Sequence, residues 1–272
     1  MKVSSYKYII NQELGDGYMT QQYIKLLKDY ITGIELKGKT AVLYAGGVLL
    51  SASEARNTVD KGTLRRSVQD STMAVKELSA YSMHRWIGLL KDNDKVEYAS
   101  INGNTCASSM YSLYEAEKLM NDGFDEVIII AEEKTSYNTL RVFKESMIEL
   151  EVGEGVAVMH LTKDGNDIHS CKWGYEYNRN PFGVTESGYR KIWQECDIVK
   201  PHGTGTNNNE EAEQAVIGSK EQVRFKEEIG HCQGASGLLE ICMLLDDTSV
   251  AGKILCIASG LGGFYGSCLV EK

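Results

Sequence analysis

The stretch Ile101-Asn102-Gly103-Asn104-Thr105-Cys106-Ala107-Ser108-Ser109 decides how this chain is interpreted. An alternating, strand-like segment ends there, a polar turn follows, and helical spacing of apolar residues begins. Cys106 therefore lies at the start of a helix, where unpaired N–H groups and the helix dipole favour a thiolate. We expect a lowered pKa for Cys106 and a sulfur that faces a cleft. The alternative is a structural cysteine, because free cysteines are among the most buried residues.

Two histidines follow predicted strands further along the chain. His202 lies in Lys200-Pro201-His202-Gly203-Thr204-Gly205-Thr206, and His231 lies in Ile229-Gly230-His231-Cys232-Gln233-Gly234-Ala235-Ser236-Gly237. Ligands of α/β proteins gather where strands end. A thiol can act as a nucleophile and two imidazoles can donate hydrogen bonds to a developing oxyanion, so this set is suited to acyl-thioester chemistry.

Predicted strands and helices alternate on both sides of the turn Asp164-Gly165-Asn166-Asp167. Before it we predict strands over 40–45, 95–101, 126–131 and 155–161, and helices over 20–32, 65–90 and 108–121. After it we predict strands over 168–175, 196–200, 222–225, 254–259 and 265–271, and helices over 185–195, 210–218 and 234–246. This alternation indicates an α/β fold in two similar halves, each a sheet covered by helices. The halves are residues 1–163, with Cys106, and residues 164–272, with His202 and His231, in one compact unit.

Composition and charge exclude several classes of protein. The 272 residues are 42% hydrophobic and 25% charged, which is ordinary for a globular protein and excludes a disordered chain. The formal net charge of −9 provides no global positive field for nucleic acid or an anionic membrane. The longest nearly unbroken apolar stretch, residues 41–50, is well short of the roughly 18 residues that a membrane span needs.

The cysteines and the first residues indicate the compartment. Seven cysteines without a CxxC pair argue against a disulfide framework and against a zinc ribbon. Residues 1–10 contain neither the apolar region nor the cleavage site of a secretory signal. We therefore expect a cytoplasmic protein with reduced cysteines. Those expected in the core are Cys232, Cys242, Cys256 and Cys268.

Other patterns in the chain have a structural explanation. Residues Gly33-Ile34-Glu35-Leu36-Lys37-Gly38-Lys39-Thr40 match the spacing of a phosphate-binding loop, but a predicted helix precedes them and a strand follows, which reverses the order that phosphate binding needs. We interpret them as a surface turn. His160, His169 and Cys171 provide too few ligands for a metal. The basic residues Lys61, Arg65 and Arg66 form a solvated face or, as the less favoured interpretation, a dock for an acidic carrier protein.

Four segments resemble, in the same order, motifs of the β-ketoacyl-acyl-carrier-protein synthases of the thiolase superfamily. The family's T-A-C-S-S is similar to residues 104–108, its H-G-T-G-T is identical to residues 202–206, its K-S-N-I-G-H is similar to residues 226–231, and its G-F-G-G is similar to residues 260–263. The resemblance implies a thiolase-like fold, in which two βαβαβ-type halves form a layered α-β-α-β-α sandwich.

The resemblance also implies a role for each matching residue. Cys106 would accept an acyl group from a thioester. His202 and His231 would hydrogen-bond the carbonyl of a malonyl thioester while decarboxylation converts it into an enolate, and Lys226 would support both rings. Backbone N–H groups of Cys106 and Leu261 would form the oxyanion hole. The positions with a supporting role would be Thr204, Glu210, Glu213, Gly262 and Gly263.

The chain departs from the family in length and in several residues. It is shorter before the nucleophile, between the nucleophile and the first histidine, and after the second histidine, where family members build the cap over the acyl tunnel and part of the dimer surface. Leu261 replaces a gating phenylalanine. Glu227 and Glu228 stand beside Lys226, and we expect these acids to raise the pKa of His231.

Three functions stay open on the sequence. The first is a 3-oxoacyl-[acyl-carrier-protein] synthase-like condensing enzyme of fatty-acid or polyketide-type biosynthesis, in which acyl transfer to Cys106 precedes a decarboxylative Claisen condensation. The second is a non-decarboxylating acyltransferase or thioesterase on the same scaffold. The third, motivated by the missing segments, is a non-catalytic partner subunit of a larger ketosynthase.

The expected substrates and partners follow from the resemblance. The substrates would be acyl and malonyl thioesters of acyl carrier protein or coenzyme A, with no further cofactor and no metal. The partners would be an acyl carrier protein and a second ketosynthase subunit, identical or different. In the family the strand before the nucleophile pairs across the dimer axis, so residues 95–101 are the expected contact.

Overall fold

The computed structural model describes residues 1–10, 19–46, 79–80, 82–133, 151–179 and 183–272. The basic cluster Lys61, Arg65 and Arg66 lies outside these residues. So does most of the predicted helix over 65–90, of which residues 82–87 are described and helical. Among the described helices, none combines the length and the apolar composition needed to cross a membrane.

The described residues form two five-stranded sheets with the same topology. The first contains β1 (Lys2–Ile10), β2 (Thr40–Gly46), β3 (Val96–Asn102), β4 (Glu126–Glu133) and β5 (Gly155–Thr162), in the order β1-β5-β4-β2-β3. The second contains β6 (Ile168–Tyr175), β7 (Ile198–Lys200), β8 (Glu221–Gln222), β9 (Lys253–Gly260) and β10 (Phe264–Glu271), in the order β6-β10-β9-β7-β8. In the order given for each sheet, the first two pairs of neighbouring strands are antiparallel and the last two pairs are parallel. The expectation of two similar halves is confirmed.

Helices cover both sheets and fill the space between them. They are α1 (Met19–Thr32), α2 (Ser108–Asn121), α3 (Glu186–Ile192), α4 (Asn207–Ile217), α5 (Lys226–Ile229) and α6 (Ser236–Asp246). Between the sheets, α2 and α6 join one core cluster with residues of both sheets. The helices α1 and 82–87 pack with the first sheet in a second cluster, and α3 and α4 pack with the second sheet in a third. This is the expected α-β-α-β-α layering.

The two central helices approach each other closely at their first turns. α6 is buried along almost all of its length, as is typical of a helix without a solvent face. Gly237 permits the approach, because a Cβ at this position would lie 3.1 Å from the Cβ of Ser109 on α2. The Ser109 hydroxyl donates a hydrogen bond to the carbonyl of Gly234. The starts of α2 and α6 therefore meet where the two halves meet.

Three elements differ from the sequence-based expectation, namely β1, β8 and α5. β1 has no counterpart among the predicted strands, although Tyr6, Tyr8 and Ile10 alternate as in a strand with one covered face. The strand predicted over 222–225 is shorter and begins earlier, since β8 spans Glu221–Gln222 and Phe225 immediately precedes α5, a helix that was not predicted. Phe225 is buried in the central core cluster, so its apolar character reflects packing of the segment before α5.

The turn that resembles a phosphate-binding loop is filled by carboxylates of the chain itself. The Oε1 atom of Glu126 accepts hydrogen bonds from the N–H groups of Lys37 and, at 2.8 Å, of Gly38. The other carboxylate oxygen of Glu126 lies 2.6 Å from Nε2 of His160. Because α1 precedes this turn and β2 follows it, the segment is the structural turn that its order of elements predicts.

Candidate active site

Cys106 lies in a 3₁₀ turn, Thr105–Ala107, between β3 and α2. The turn holds Thr105 at φ 53°, a conformation that is costly for a β-branched residue and marks a constrained bend. Ser108 braces the bend, since its hydroxyl accepts the N–H of Asn104 at 2.9 Å and donates to the carbonyl of Thr105 at 2.6 Å. All seven cysteines are free thiols; Cys106 is half-buried and the other six are buried.

The glycine-rich loop after β9 packs directly on this turn. A Cβ at Gly260 would lie 2.3 Å from Oγ1 of Thr105, so a side chain there would displace the turn. The Thr105 hydroxyl donates to the carbonyl of Leu261 at 3.0 Å. The backbone N–H groups of Leu261 and of Cys106 both act on the Cys106 sulfur and lower the pKa of its thiol. The two N–H groups expected in an oxyanion hole thus lie at the thiol.

The next two glycines turn this loop. Gly262 and Gly263 have φ of 91° and 89°, a left-handed conformation that favours glycine. A Cβ at Gly263 would lie 2.0 Å from the carbonyl oxygen of Glu176. The side chain of Leu261 is exposed, so only its backbone serves the turn around Cys106.

The Cys106 thiol does not have the lowered pKa that its position at a helix start predicts. Desolvation raises the pKa to about 11, with a smaller contribution from the carboxylate of Glu133. The ammonium group of Lys226 and the two backbone N–H groups act in the opposite direction without outweighing burial. The prediction of a thiolate is wrong, because removal of the sulfur from water dominates. The group is a neutral thiol that must lose its proton as it reacts.

His202 follows β7 and is buried. The carboxylate of Glu213 holds its loop, accepting hydrogen bonds from the N–H of His202 at 2.6 Å and of Gly203 at 3.0 Å. Further along, the hydroxyls of Thr204 and Thr206 lie 3.1 Å apart. Within the described chain, the buried Nδ1 atom of His202 has no hydrogen-bond partner. Glu213 therefore fixes the backbone and leaves the ring available to a ligand.

Glu210 forms an ion pair with Arg224. Its Oε1 atom lies 2.5 Å from Nη2 of Arg224, and the same nitrogen donates to Gln222 at 3.0 Å. This network ties α4 to the segment after β8.

His231 is held by both its backbone and its ring. Its N–H donates to the carbonyl of Glu151 at 2.8 Å, and its own carbonyl accepts the N–H of Gly153 at 3.2 Å. The Nδ1 atom lies 3.1 Å from the hydroxyl of Ser236 on α6. When Ser236 donates to Nδ1, the ring proton resides on Nε2 and points the other way. The ring centroids of His231 and His202 lie 5.4 Å apart, with the planes at 87°.

A buried carboxylate joins two lysines beside the histidines. Lys226 Nζ lies 2.5 Å from Oε1 of Glu240 on α6, and Lys200 Nζ contacts the other oxygen, Oε2. All three side chains are buried. We call Lys200, Glu240 and Lys226 the lysine–glutamate cluster. Lys226 was expected at the site, and its two partners were not.

Both histidines are neutral at physiological pH. Burial lowers the pKa of His202 and of His231 well below 6.5, and the two lysines of the lysine–glutamate cluster lower it further by repulsion. The expectation that Glu227 and Glu228 raise the pKa of His231 is wrong. Both acids are exposed, so water screens them, whereas the lysines are buried near the ring.

The thiol and the two imidazoles belong to one electrostatic environment. The charge of Lys226 acts on the pKa of Cys106, of His202 and of His231. In addition, the turn with Cys106 packs on a second 3₁₀ turn, Gln233–Ala235, which lies between His231 and α6. The turn that carries Cys106 and the turn that follows His231 are therefore in contact.

Several solved structures with the same architecture are ketosynthases. A β-ketoacyl synthase from Burkholderia phymatum STM815 superposes with a TM-score of 0.70 at 17% identity, over 94% of this chain and 82% of that chain. A type II polyketide ketosynthase, in complex with its acyl-carrier protein and bound to the hexaketide, gives 0.69 at 12% identity, over 96% and 86%. A ketosynthase in complex with its chain length factor, from Xenorhabdus doucetiae, gives 0.61 at 16% identity, over 91% and 78%.

These comparisons define the fold of the chain. It is an α/β fold with the thiolase-like, two-sheet architecture found in these solved ketosynthases, as the sequence motifs predict. No protein-family model matches the chain, and no curated protein sequence matches it. The likeness therefore lies in the structure and in four short motifs.

Proposed function

We propose that this chain is a decarboxylating condensing enzyme of the 3-oxoacyl-[acyl-carrier-protein] synthase type. The observation that carries the proposal is a thiol with two backbone N–H donors in the same environment as two neutral imidazoles. The ketosynthase fold supports it. The substrates would be an acyl and a malonyl thioester, in fatty-acid or polyketide-type biosynthesis.

The first step of the proposed reaction is acyl transfer to Cys106. The sulfur attacks the carbonyl carbon of the acyl thioester, a new carbon–sulfur bond forms, and the donor's carbon–sulfur bond breaks. The proton of the Cys106 thiol ends on the departing donor thiol. The N–H groups of Leu261 and Cys106 would stabilise the negative charge on the carbonyl oxygen during the attack.

The second step joins the extender to the acyl group. The bond between the malonyl α-carbon and its carboxylate breaks and CO₂ leaves. The electron pair of that bond forms the enolate of the remaining thioester. Neutral imidazoles of His202 and His231 would donate hydrogen bonds to the enolate oxygen, which is where charge develops. The enolate carbon then attacks the carbonyl carbon of the acyl group on Cys106, the carbon–sulfur bond of the acyl-enzyme breaks, and the departing thiolate takes a proton from water.

Mass spectrometry of the intact protein tests this proposal. The chain is incubated first with an acyl carrier protein loaded with an acyl group, then with malonyl carrier protein. We expect the acyl mass on Cys106, followed by CO₂ release and a ketoacyl product. Acylation without CO₂ would favour a non-decarboxylating acyltransferase or thioesterase. Absence of acylation with every donor, acyl coenzyme A included, would contradict catalysis and favour a partner subunit.

The proposed partners are an acyl carrier protein and a second ketosynthase-type subunit. β3 supports the second partner, because it lies at the edge of the first sheet with Tyr98 and Ile101 exposed. An edge strand presents unpaired N–H and C=O groups with which a strand of another chain can pair. Seven unpaired cysteines support a reducing compartment, so we place the reaction in the cytoplasm. Sedimentation of the purified chain, alone and with a candidate subunit, tests the pairing.

A further inference from the structure

Gln233 is a buried amide beside the turn that carries Cys106. It is the first residue of the 3₁₀ turn Gln233–Ala235, and only 3% of its surface is exposed. This turn packs on the Cys106 turn, and the Ser109 hydroxyl donates to the carbonyl of Gly234, the residue after Gln233. The backbone of Gln233 has φ 41°, a conformation that costs free energy for a residue other than glycine. The fold therefore holds this amide against the Cys106 turn in spite of strain.

The side-chain amide of Gln233 has an unused donor. Within the described chain, its buried Nε2 atom has no hydrogen-bond partner, as is also true of Nδ1 of His202. Most buried polar side-chain atoms are hydrogen-bonded, because a donor that is left unpaired away from water loses free energy. An unpaired buried donor on a strained turn therefore needs an explanation, and a ligand that supplies the acceptor provides one.

The equivalent residue of the Cys106 turn does have a partner. Thr105 also has a positive φ, and its hydroxyl donates to the carbonyl of Leu261 in the opposite half, 3.0 Å away. The turn that begins with Thr105 packs on β9, and the turn that begins with Gln233 packs on β4, the counterpart of β9 in the first sheet. The two turns thus face the opposite half in the same way. Thr105 uses its polar group to join the halves, whereas Nε2 of Gln233 makes no such contact in the described chain.

The oxygens that take part in the proposed reaction have other donors. The thioester carbonyl on Cys106 would be served by backbone N–H groups, and the enolate oxygen by His202 and His231. A donor on the malonyl carboxylate would stabilise the substrate more than the transition state of decarboxylation, and so would slow that step. The remaining oxygen that Gln233 can serve is one on the chain of the acyl group.

We propose that Gln233 determines which acyl groups the site accepts, by donating a hydrogen bond from its side-chain amide to a hydroxyl or keto oxygen close to the thioester. The site would then prefer an oxygenated acyl group over a saturated one of equal length. A site built to hydrogen-bond an oxygen disfavours the analogue that lacks it, since its buried donor is left unpaired. That the acyl group is carried on Cys106 rests on the proposed function, whereas binding of the acyl thioester requires no reaction.

Binding to the Cys106→Ala variant tests the proposal without chemistry. The probes are hexanoyl-pantetheine and 3-hydroxyhexanoyl-pantetheine, which differ by one oxygen. The dissociation constant of the hydroxylated thioester should be about five- to tenfold lower, as one hydrogen bond provides. Adding Gln233→Met, which keeps a long unbranched side chain and removes the donor, should abolish the difference. Adding Gln194→Met instead is the matched control and should keep it, because the Gln194 amide donates to the Ser170 carbonyl and the Ser267 hydroxyl.

A purely structural role for Gln233 makes a different prediction. Its amide would then only fill the space beside β4, and Gln233→Met would lower stability while the two dissociation constants kept their ratio. That ratio within one variant, rather than the affinity itself, separates the two explanations. If Gln233→Met does not fold, Gln233→Asn is used, because asparagine tolerates a positive φ and withdraws the amide by one carbon. The ratio should then move toward one.

Three results would overturn the proposal: equal binding of the two thioesters to Cys106→Ala, binding of neither, or a ratio that survives Gln233→Met. The binding result is separate from the test of catalysis. A preference for the hydroxylated thioester, together with no acylation of the unmodified chain, would support the role of Gln233 and contradict the proposed enzyme. Acylation of Cys106 without such a preference would do the reverse.

Discussion

The two 3₁₀ turns where the halves meet have similar backbone conformations but carry different side chains. Thr105–Ala107 precedes α2 and Gln233–Ala235 precedes α6, and each begins with a non-glycine residue at positive φ, 53° for Thr105 and 41° for Gln233. The next position is Cys106 in the first turn and Gly234 in the second. The repeated topology therefore builds the same bend twice and places a thiol in only one.

The serines after the two turns have diverged in the same way. Ser108 hydrogen-bonds the backbone of its own turn, while the equivalent Ser236 lies 3.1 Å from Nδ1 of His231. The following position is Ser109 in α2 and Gly237 in α6, which lets the helices meet. The first half thus shapes and holds a thiol, and the second half orients imidazoles. Changes on either side should affect different steps.

The largest expected effect comes from the position that distinguishes the turns. Cys106→Ala should abolish acylation completely, because alanine has no nucleophile and Gly234 offers none in the second turn. Intact-mass measurement after incubation with acyl carrier protein checks this. Cys268→Ala, a change of a buried cysteine away from the turn, is the matched control and should still be acylated. An acyl adduct that persists on Cys106→Ala would contradict the assigned nucleophile.

The next effect concerns the imidazoles of the second half. His202→Ala and His231→Ala should each lower decarboxylation of a malonyl thioester by about 10²–10³, as expected for one lost oxyanion donor. Acylation of Cys106 should continue, because its N–H donors come from the first turn and from Leu261. Release of CO₂ and intact mass are measured on the same samples. His84→Ala, at an exposed position, is the control.

If either histidine variant lost acylation of Cys106 as strongly as CO₂ release, the two halves would not serve separate steps. Such a result would show that the rings also serve acyl transfer. Because the thiol has a raised pKa, this outcome would identify a histidine as the group that takes its proton.

The sequence predicts most residues of the candidate site but not the directions of their pKa shifts. Cys106, His202 and His231 were predicted from local patterns, since each lies where a strand ends and the chain turns. Their pKa directions depend on burial and on neighbours that lie far away in sequence. For example, Glu240 is 40 residues from Lys200, and their contact is visible only in the folded chain.

The fold was likewise predictable where patterns are local. β4 is an apolar run that reads directly as a buried strand, and its prediction over 126–131 lies within Glu126–Glu133. β1 was not predicted although Tyr6, Tyr8 and Ile10 alternate, and its pairing with β5, about 150 positions away, establishes it as a strand. The prediction over 222–225 extends too far, because Phe225 packs in the distant core and does not continue β8. Long-range packing decides the bounds that the local patterns leave open.

A smaller effect concerns stability in acid. Both imidazoles have a lowered pKa in the folded chain, against an ordinary 6.5, so the unfolded chain binds more protons below that pH. Stability should therefore be fully present above about pH 6.5 and fall as the pH decreases below it. Urea denaturation between about pH 5 and 8 measures this. His202→Gln/His231→Gln should flatten the dependence and His84→Gln should not; an unchanged slope in the double variant would assign it to other groups.

The smallest expected effect separates the two equivalent serines. Ser236→Ala leaves Nδ1 of His231 without its hydroxyl, so the ring proton is no longer directed to Nε2, and decarboxylation should fall about three- to tenfold, or about 0.7–1.4 kcal/mol. Ser108→Ala removes the brace of the first turn and should slow acylation of Cys106 by a similar factor, since a lost hydrogen bond costs about 1 kcal/mol. Each variant is the control for the other, with acylation and CO₂ release measured separately. The two serines occupy equivalent positions in equivalent turns, so the comparison isolates the step that each half serves. If both variants slowed the same step, the two halves would act together in that step, and the proposed separation of acylation from decarboxylation would be wrong.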